Sequence, residues 1–160
     1  MIVIRNFPFP PSANEMYATN VHKYKKPDGK MGVKTSQRRS EVLENFYTQC
    51  DLFEKINKKN MDLIRSQIEK WIGQGRMLGM DCYVVVEYDR VITKDGKPHQ
   101  FDADNRRKAL QDGICSILGI DDKYVFRGIT EKVTCNRKDS ECAIIKIYPM
   151  TPLNIMNLVL

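Results

Sequence analysis

The stretch from Phe101 to Asp122, FDADNRRKALQDGICSILGIDD, constrains this chain more than any other. Within it Leu110, Ile114, Ile117 and Leu118 fall at i, i+4, i+7 and i+8, the spacing of one buried helical face. Carboxylates flank that face, Asp102 and Asp104 before it, Asp121 and Asp122 after it. The spacing predicts a helix over 105–118, stopped at Gly119 and roughly 20 Å long. Its acidic ends can meet only if the chain carrying Asp121 and Asp122 turns back, or if another chain supplies carboxylates. Gathered carboxylates oppose one another's ionisation unless a cation or a proton neutralises them, so such a gathering asks for a function. A plainer account stands beside this one. Asp104 can cap a first turn, Asp104 and Lys108 can form a surface pair worth about 0.3 kcal/mol, and Asp121-Asp122 can be a polar turn.

The rest of the chain supplies elements for that helix to pack against. Residues 2–6 read as a strand ended by Phe7-Pro8-Phe9-Pro10-Pro11, because proline denies a ladder its donors, and Ser12-Ala13-Asn14 reads as a turn. Over 36–72, Leu43, Phe46, Cys50 and Phe53, then Ile64, Ile68 and Trp71, recur at helical spacing. Asn57-Lys58-Lys59-Asn60 interrupts them, so two helices, or one with a weak middle, are expected, capped by Thr35 or Ser36 and stopped by Gly73 and Gly75. Residues 80–88 read as a strand buried on both faces, and 125–135 and 141–148 as two more. The order is β-α-α-β-α-β-β: an α+β fold in one domain, with helices packed on a mixed sheet.

Charge narrows the partners. The net charge of +6 lies entirely in residues 20–39, where Lys23, Lys25, Lys26, Lys30, Lys34, Arg38 and Arg39 face only Asp28. With Pro27-Asp28-Gly29 and Gly32 among them, these residues read as a flexible basic loop or arm. Alone it would be a solvated charge run. Beside an acidic cluster of metal-binding type, contact with a phosphate backbone is the better explanation. The five cysteines are odd in number and never in C-x-x-C spacing, which argues against zinc and a disulfide framework and for a reducing, cytoplasmic setting. No apolar run approaches a membrane span, and the first residues lack a signal peptide's layout.

Asp102-Ala-Asp104-Asn105, Lys108, Asp112 and Asp121-Asp122 with Val125, preceded by Phe9-Pro10-Pro11-Ser12-Ala13-Asn14, together resemble the core signature of the RusA-type Holliday junction resolvases. The resemblance spans both ends of that family's domain, in order. It implies an endonuclease domain over residues 1–150, with 151–160 as an apolar C-terminal tail. It further implies a homodimer that resolves four-way DNA junctions by paired symmetric nicks, using Mg²⁺ with Mn²⁺ as a substitute. Asp102, Asp104 and Asp122 are then the metal-binding carboxylates, with Asp121 as the alternative to Asp122, and Lys108 is the catalytic cation. Arg106 and Arg107 near the helix start could hold adjacent phosphates, or be plain surface charges. Asn14 and Lys132 are expected near the DNA, Lys132 because the family tends to carry a basic residue there. His99, in the loop before Asp102, reads as an exposed loop residue.

Two other functions fit parts of the pattern. A non-catalytic DNA-binding protein would use the basic arm and need the carboxylates only as caps. A metal-dependent hydrolase of small phosphate esters would need the carboxylates but no arm.

Overall fold

The computed structural model describes residues 1–99 and 101–150; the expected docking of a tail at 151–160 lies outside them. Along the chain come β1 (Ile2–Phe7), β2 (Tyr17–Lys25), β3 (Met31–Arg39), α1 (Glu41–Ile56), α2 (Lys58–Gly73), β4 (Met77–Glu87), α3 (Tyr88–Val91), α4 (Asp104–Leu118), β5 (Val125–Arg127), β6 (Thr130–Cys135) and β7 (Cys142–Met150). The fold is α+β, a mixed sheet with helices packed on it. Strands run β1-β7-β4-β5, and β6 pairs with β4 beyond β5 along the same edge. The β7 strand is antiparallel to both of its neighbours, whereas β5 and β6 run parallel to β4.

Alternation along β4 sets the layers. Leu78, Met80, Cys82, Val84 and Val86 are buried, together with Ala143, Ile145 and Ile147 of β7, because successive strand residues point to opposite faces. The other face is only half-buried, which corrects the expectation of a strand covered on both sides. There Lys146 Nζ donates to the Tyr83 hydroxyl at 3.2 Å, and the Tyr148 hydroxyl donates to Asp81 Oδ1 at 3.2 Å.

The predicted central helix is present, and it is more deeply set than one apolar stripe requires. Ala109, Leu110, Gly113, Ile114, Cys115, Ile117 and Leu118 are all buried. Each large aliphatic among them contributes about 1.5–3 kcal/mol. A methyl group at Gly113 would sit 3.1 Å from the Phe46 ring and 3.3 Å from Cys50 Sγ, so the missing side chain lets α1 approach closely. The helix stops at Gly119, whose φ of 64° is the left-handed cap that glycine adopts without a Cβ clash. Its last carbonyls, Ile117 O and Leu118 O, accept from Arg65 Nη2 and Nε at 2.6 and 3.2 Å, which fastens α2 to the end of α4.

Three expectations change here. The basic segment is no loose loop: β2 and β3 pair over nine positions from Tyr17↔Arg39 to Lys25↔Met31. The tip is a turn in which Gly29 has φ 81° and Lys30 N donates to Asp28 Oδ1 at 3.0 Å. Tyr17, Thr19 and Val21 on β2 and Val33 and Thr35 on β3 favour this pairing, and the lysines among them hid it. Consequently α1 starts later, capped by Ser40, whose Oγ accepts from Leu43 N at 3.2 Å; Thr35 and Ser36 belong to β3. Lastly, the strand expected over 125–135 is broken between β5 and β6. A side chain at Gly128 would strike Met80 O and the Arg107 guanidinium. Ile129 O accepts from Cys82 N at 2.8 Å, and Ile129 N donates to Asp81 Oδ1 at 3.1 Å.

Candidate active site

The turn-back that the acidic stretch requires is present. After Gly119 the chain reverses, and a 3₁₀ turn at Asp122–Tyr124 places Asp122 against the side of α4. Asp104, Arg107, Lys108, Gln111 and Asp112, one stripe of that helix, line a recess together with Asp122. Residues three and four apart share a helical face, so the D-x-x-R-K-x-x-Q-D spacing builds one wall and Asp122 contributes the other.

Within this acidic recess Lys108 Nζ lies 3.0 Å from Asp112 Oδ2, not on Asp104 as the i, i+4 surface pair would have it. The lysine side chain is 63% exposed and the aspartate 27%, so the pair sits at the rim. Its hydrogen bond and charge attraction to Asp112 raise the Lys108 pKa, so the ammonium keeps its proton at neutral pH. Arg107 Nη1 reaches Thr130 Oγ1 of β6 at 3.5 Å.

Of the paired aspartates, only Asp122 lines the recess. Asp121 is occupied elsewhere: Oδ1 accepts from Lys123 N at 3.0 Å and Oδ2 lies 2.9 Å from Lys123 Nζ. Those bonds to Lys123 hold its carboxyl below the usual carboxylate range.

Asp102 is not brought into the same recess. It caps α4 instead, Oδ1 accepting from Asp104 N at 3.0 Å and from Asn105 N at 3.4 Å. The capping role therefore belongs to Asp102 and not to Asp104, which is the helix's first residue. Asp102 lines a neighbouring recess with Ser12, Asn14, His99 and Lys132, among others. Lys132 Nζ donates to Phe101 O there at 2.8 Å.

Arg106 requires a correction. It is not a surface cation: at 8% exposed it lies with its guanidinium carbon 5.1 Å from the centre of the Phe9 ring and 4.6 Å from that of Phe101. Nη1 donates to Pro10 O, and burial lowers its pKa. Arg106 thus ties the proline-rich run to the start of α4. Spacing could have hinted at this, because Arg106 falls four residues before Leu110 on the buried face.

The hairpin carries its cations on both faces. Lys23, Lys25 and Arg39 fall on one, Lys34 and Arg38 on the other, and Lys26 and Lys30 lie at the tip. Its strands are exposed almost throughout, and Tyr24 shields Gly32, its cross-strand partner. At the root, Ser40 N donates to Met16 O at 2.9 Å and Arg39 lies 5.1 Å from the Tyr47 ring centre. Arg39 and Tyr47 line a small recess that shares Asp112 with the acidic one, so the arm springs from beside the carboxylates. This junction was not legible in the sequence.

Of the three carboxylates in this recess Asp112 is paired with Lys108, and the other two, Asp104 and Asp122, suit Mg²⁺, which commonly takes one or two protein carboxylates and keeps water in its other positions. Among the described residues, no three His, Cys, Asp or Glu side chains are gathered closely enough to hold a metal by themselves. No helix among them is long and apolar enough to cross a membrane. Compared with known proteins, the chain matches no family model and no curated sequence.

Proposed function

We propose that this protein is a Mg²⁺-dependent endonuclease that cuts branched DNA, with a four-way junction as substrate and a homodimer as the working unit. The observation that carries the reading is the acidic recess, where Asp104, Asp112 and Asp122 occur with Lys108 and Arg107 at the root of a hairpin rich in cations. The pattern shared with RusA-type resolvases supports the choice of substrate. Two nicks related by a twofold axis call for two sites so related, which a C2 dimer provides.

Asp104 and Asp122 would hold the ion, while Asp102, on the neighbouring recess, holds the first turn of α4 through Oδ1. Bound Mg²⁺ supplies an acidified water and neutralises charge on the phosphate. The remaining work falls to the chain itself. Lys108, held by Asp112, keeps an ammonium where charge develops on the phosphate oxygens. Arg107 can grip a neighbouring phosphate from the same wall. The hairpin follows the backbone with its lysines.

The test is cleavage of a synthetic four-way junction and a linear duplex, each with and without Mg²⁺. Junction-selective nicking that requires the ion and disappears in Asp104→Asn, with folding retained, is the expected outcome. Binding without cleavage under every condition would favour a non-catalytic DNA-binding protein. The lack of a three-residue metal group among the described residues is the observation on that side.

A further inference from the structure

We infer that the recess on the Asn14 side of the Asp102 turn is a nucleotide subsite, taking one unstacked nucleotide of a DNA strand. The assignment of the strand as DNA rests on the function proposed above; the binding chemistry does not.

The recess has a volume of about 660 Å³, within the roughly 300–1,000 Å³ of small-ligand sites. Its wall carries several polar side chains that have no protein partner among the described residues. The side chains of Asn14, His99 and Asn105 line it and make no hydrogen bond to any described residue. Lys132 spends one of its three donors on Phe101 O. Arg106 also forms part of the wall, and its Nε is buried without a partner among the described residues.

The mixture of groups selects the ligand class. A site for phosphate alone would not include the Asp102 carboxylate, since two anions oppose each other. Asn14 and Asn105 each offer a donor and an acceptor, the combination that reads the edge of a nucleobase. His99 and Lys132 suit the attached phosphate. Position agrees with this. Asp102 and Asn105 on this side, and Asp104 on the other, come from one turn at the start of α4. A nucleotide seated here would lie one helical turn or less from the acidic recess.

The test uses the full chain without divalent cation, so that it does not depend on cleavage. Binding of each 2′-deoxynucleoside 5′-monophosphate, of a short single-stranded oligonucleotide and of inorganic phosphate is followed by calorimetry and by amide chemical shifts. Saturable mononucleotide binding is expected, tighter than that of inorganic phosphate and shifting amides at Asn14, Asp102 and Asn105. A short single strand should bind more tightly than the free nucleotide and compete with it. Asn14→Ala and His99→Ala, both at exposed positions, should each weaken binding about tenfold, roughly the worth of one hydrogen bond; unchanged melting temperatures guard against unfolding. Phosphate binding as tightly as any nucleotide would reduce the recess to an anion site and overturn the inference. So would no saturation at millimolar nucleotide, or full affinity in both variants. Nucleotide binding that survives alongside a failed junction-cleavage assay would overturn the nuclease reading and leave the subsite standing.

Discussion

At Lys108 two accounts of one side chain forecast different experiments. As half of an exposed pair with Asp112 it should contribute under about 1 kcal/mol to stability, because water screens such pairs. As the cation beside the reacting phosphate it should act on turnover. Lys108→Ala is expected to leave the melting temperature nearly unchanged and to lower the single-turnover rate, measured with enzyme in excess so that binding no longer contributes. A near-normal rate would return Lys108 to the surface. The buried thiols make a second forecast at this scale. Burial raises Cys50 and Cys115 to about 12 and Cys82 to about 11, above the ordinary value of about 8.5. A raised folded-state pKa means that the unfolded chain releases its protons first. The stabilisation is therefore whole below about pH 8.5 and is lost as pH climbs toward 12. Burial raises Tyr47 and Tyr148 as well, which adds in the same direction. Urea midpoints should fall steadily between pH 9 and pH 11, on the order of this window. Cys82→Ala should shallow that fall; an equal slope would assign it to other groups.

Among the elements, the hairpin separates what charge does for folding from what it does for binding. Its lysines are exposed and lie outside the core, so neutralising Lys23, Lys25, Lys26 and Lys30 together should leave the fold intact. Junction binding should weaken, and the log–log salt slope should drop by roughly 0.9 for each phosphate that the arm no longer neutralises. An unchanged slope measured by fluorescence anisotropy would mean the arm touches no DNA. The same hairpin marks the limit of what sequence periodicity discloses. The α4 helix announced itself through Leu110, Ile114, Ile117 and Leu118, and its stop through Gly119, because helical burial and left-handed glycine both leave local patterns. The hairpin left a pattern too, with Tyr17, Val21, Met31 and Val33 on one face, but lysines interrupt it and that face is exposed, so it does not read as a core strand. The recess divides the same way. Asp104, Lys108 and Asp112 share a face by arithmetic alone. That Asp121 is held by Lys123, that Asp102 caps the helix, and that Arg106 is clasped between Phe9 and Phe101 all depend on a turn or on neighbours distant in sequence.

At the scale of the whole fold, β1 pairs, among the described residues, only with β7. Ile2 stands opposite Ile147 and Ile4 opposite Ile145. The same β7 also provides the antiparallel edge of β4, from Met77↔Met150 to Val85↔Cys142. During synthesis on a ribosome, β1 emerges ahead of β2 to β7 and must wait for nearly all of the described chain before β7 can pair with it. The α1–α2 pair and the β2–β3 hairpin can form early from local contacts, while the sheet that supports α4 closes last. A chain ending before Cys142 would therefore carry two unpaired edges, on β1 and β4, and partly built sheets with open edges associate readily. Such a truncation should collect as insoluble material, or give amide exchange without slow protons in β1 and β4. A soluble, protected fragment would show that the N-terminal elements fold without β7. Copies released before β7 is made thus carry the greatest hazard for the cell that makes them, and β7 decides whether the edges of β1 and β4 are ever covered.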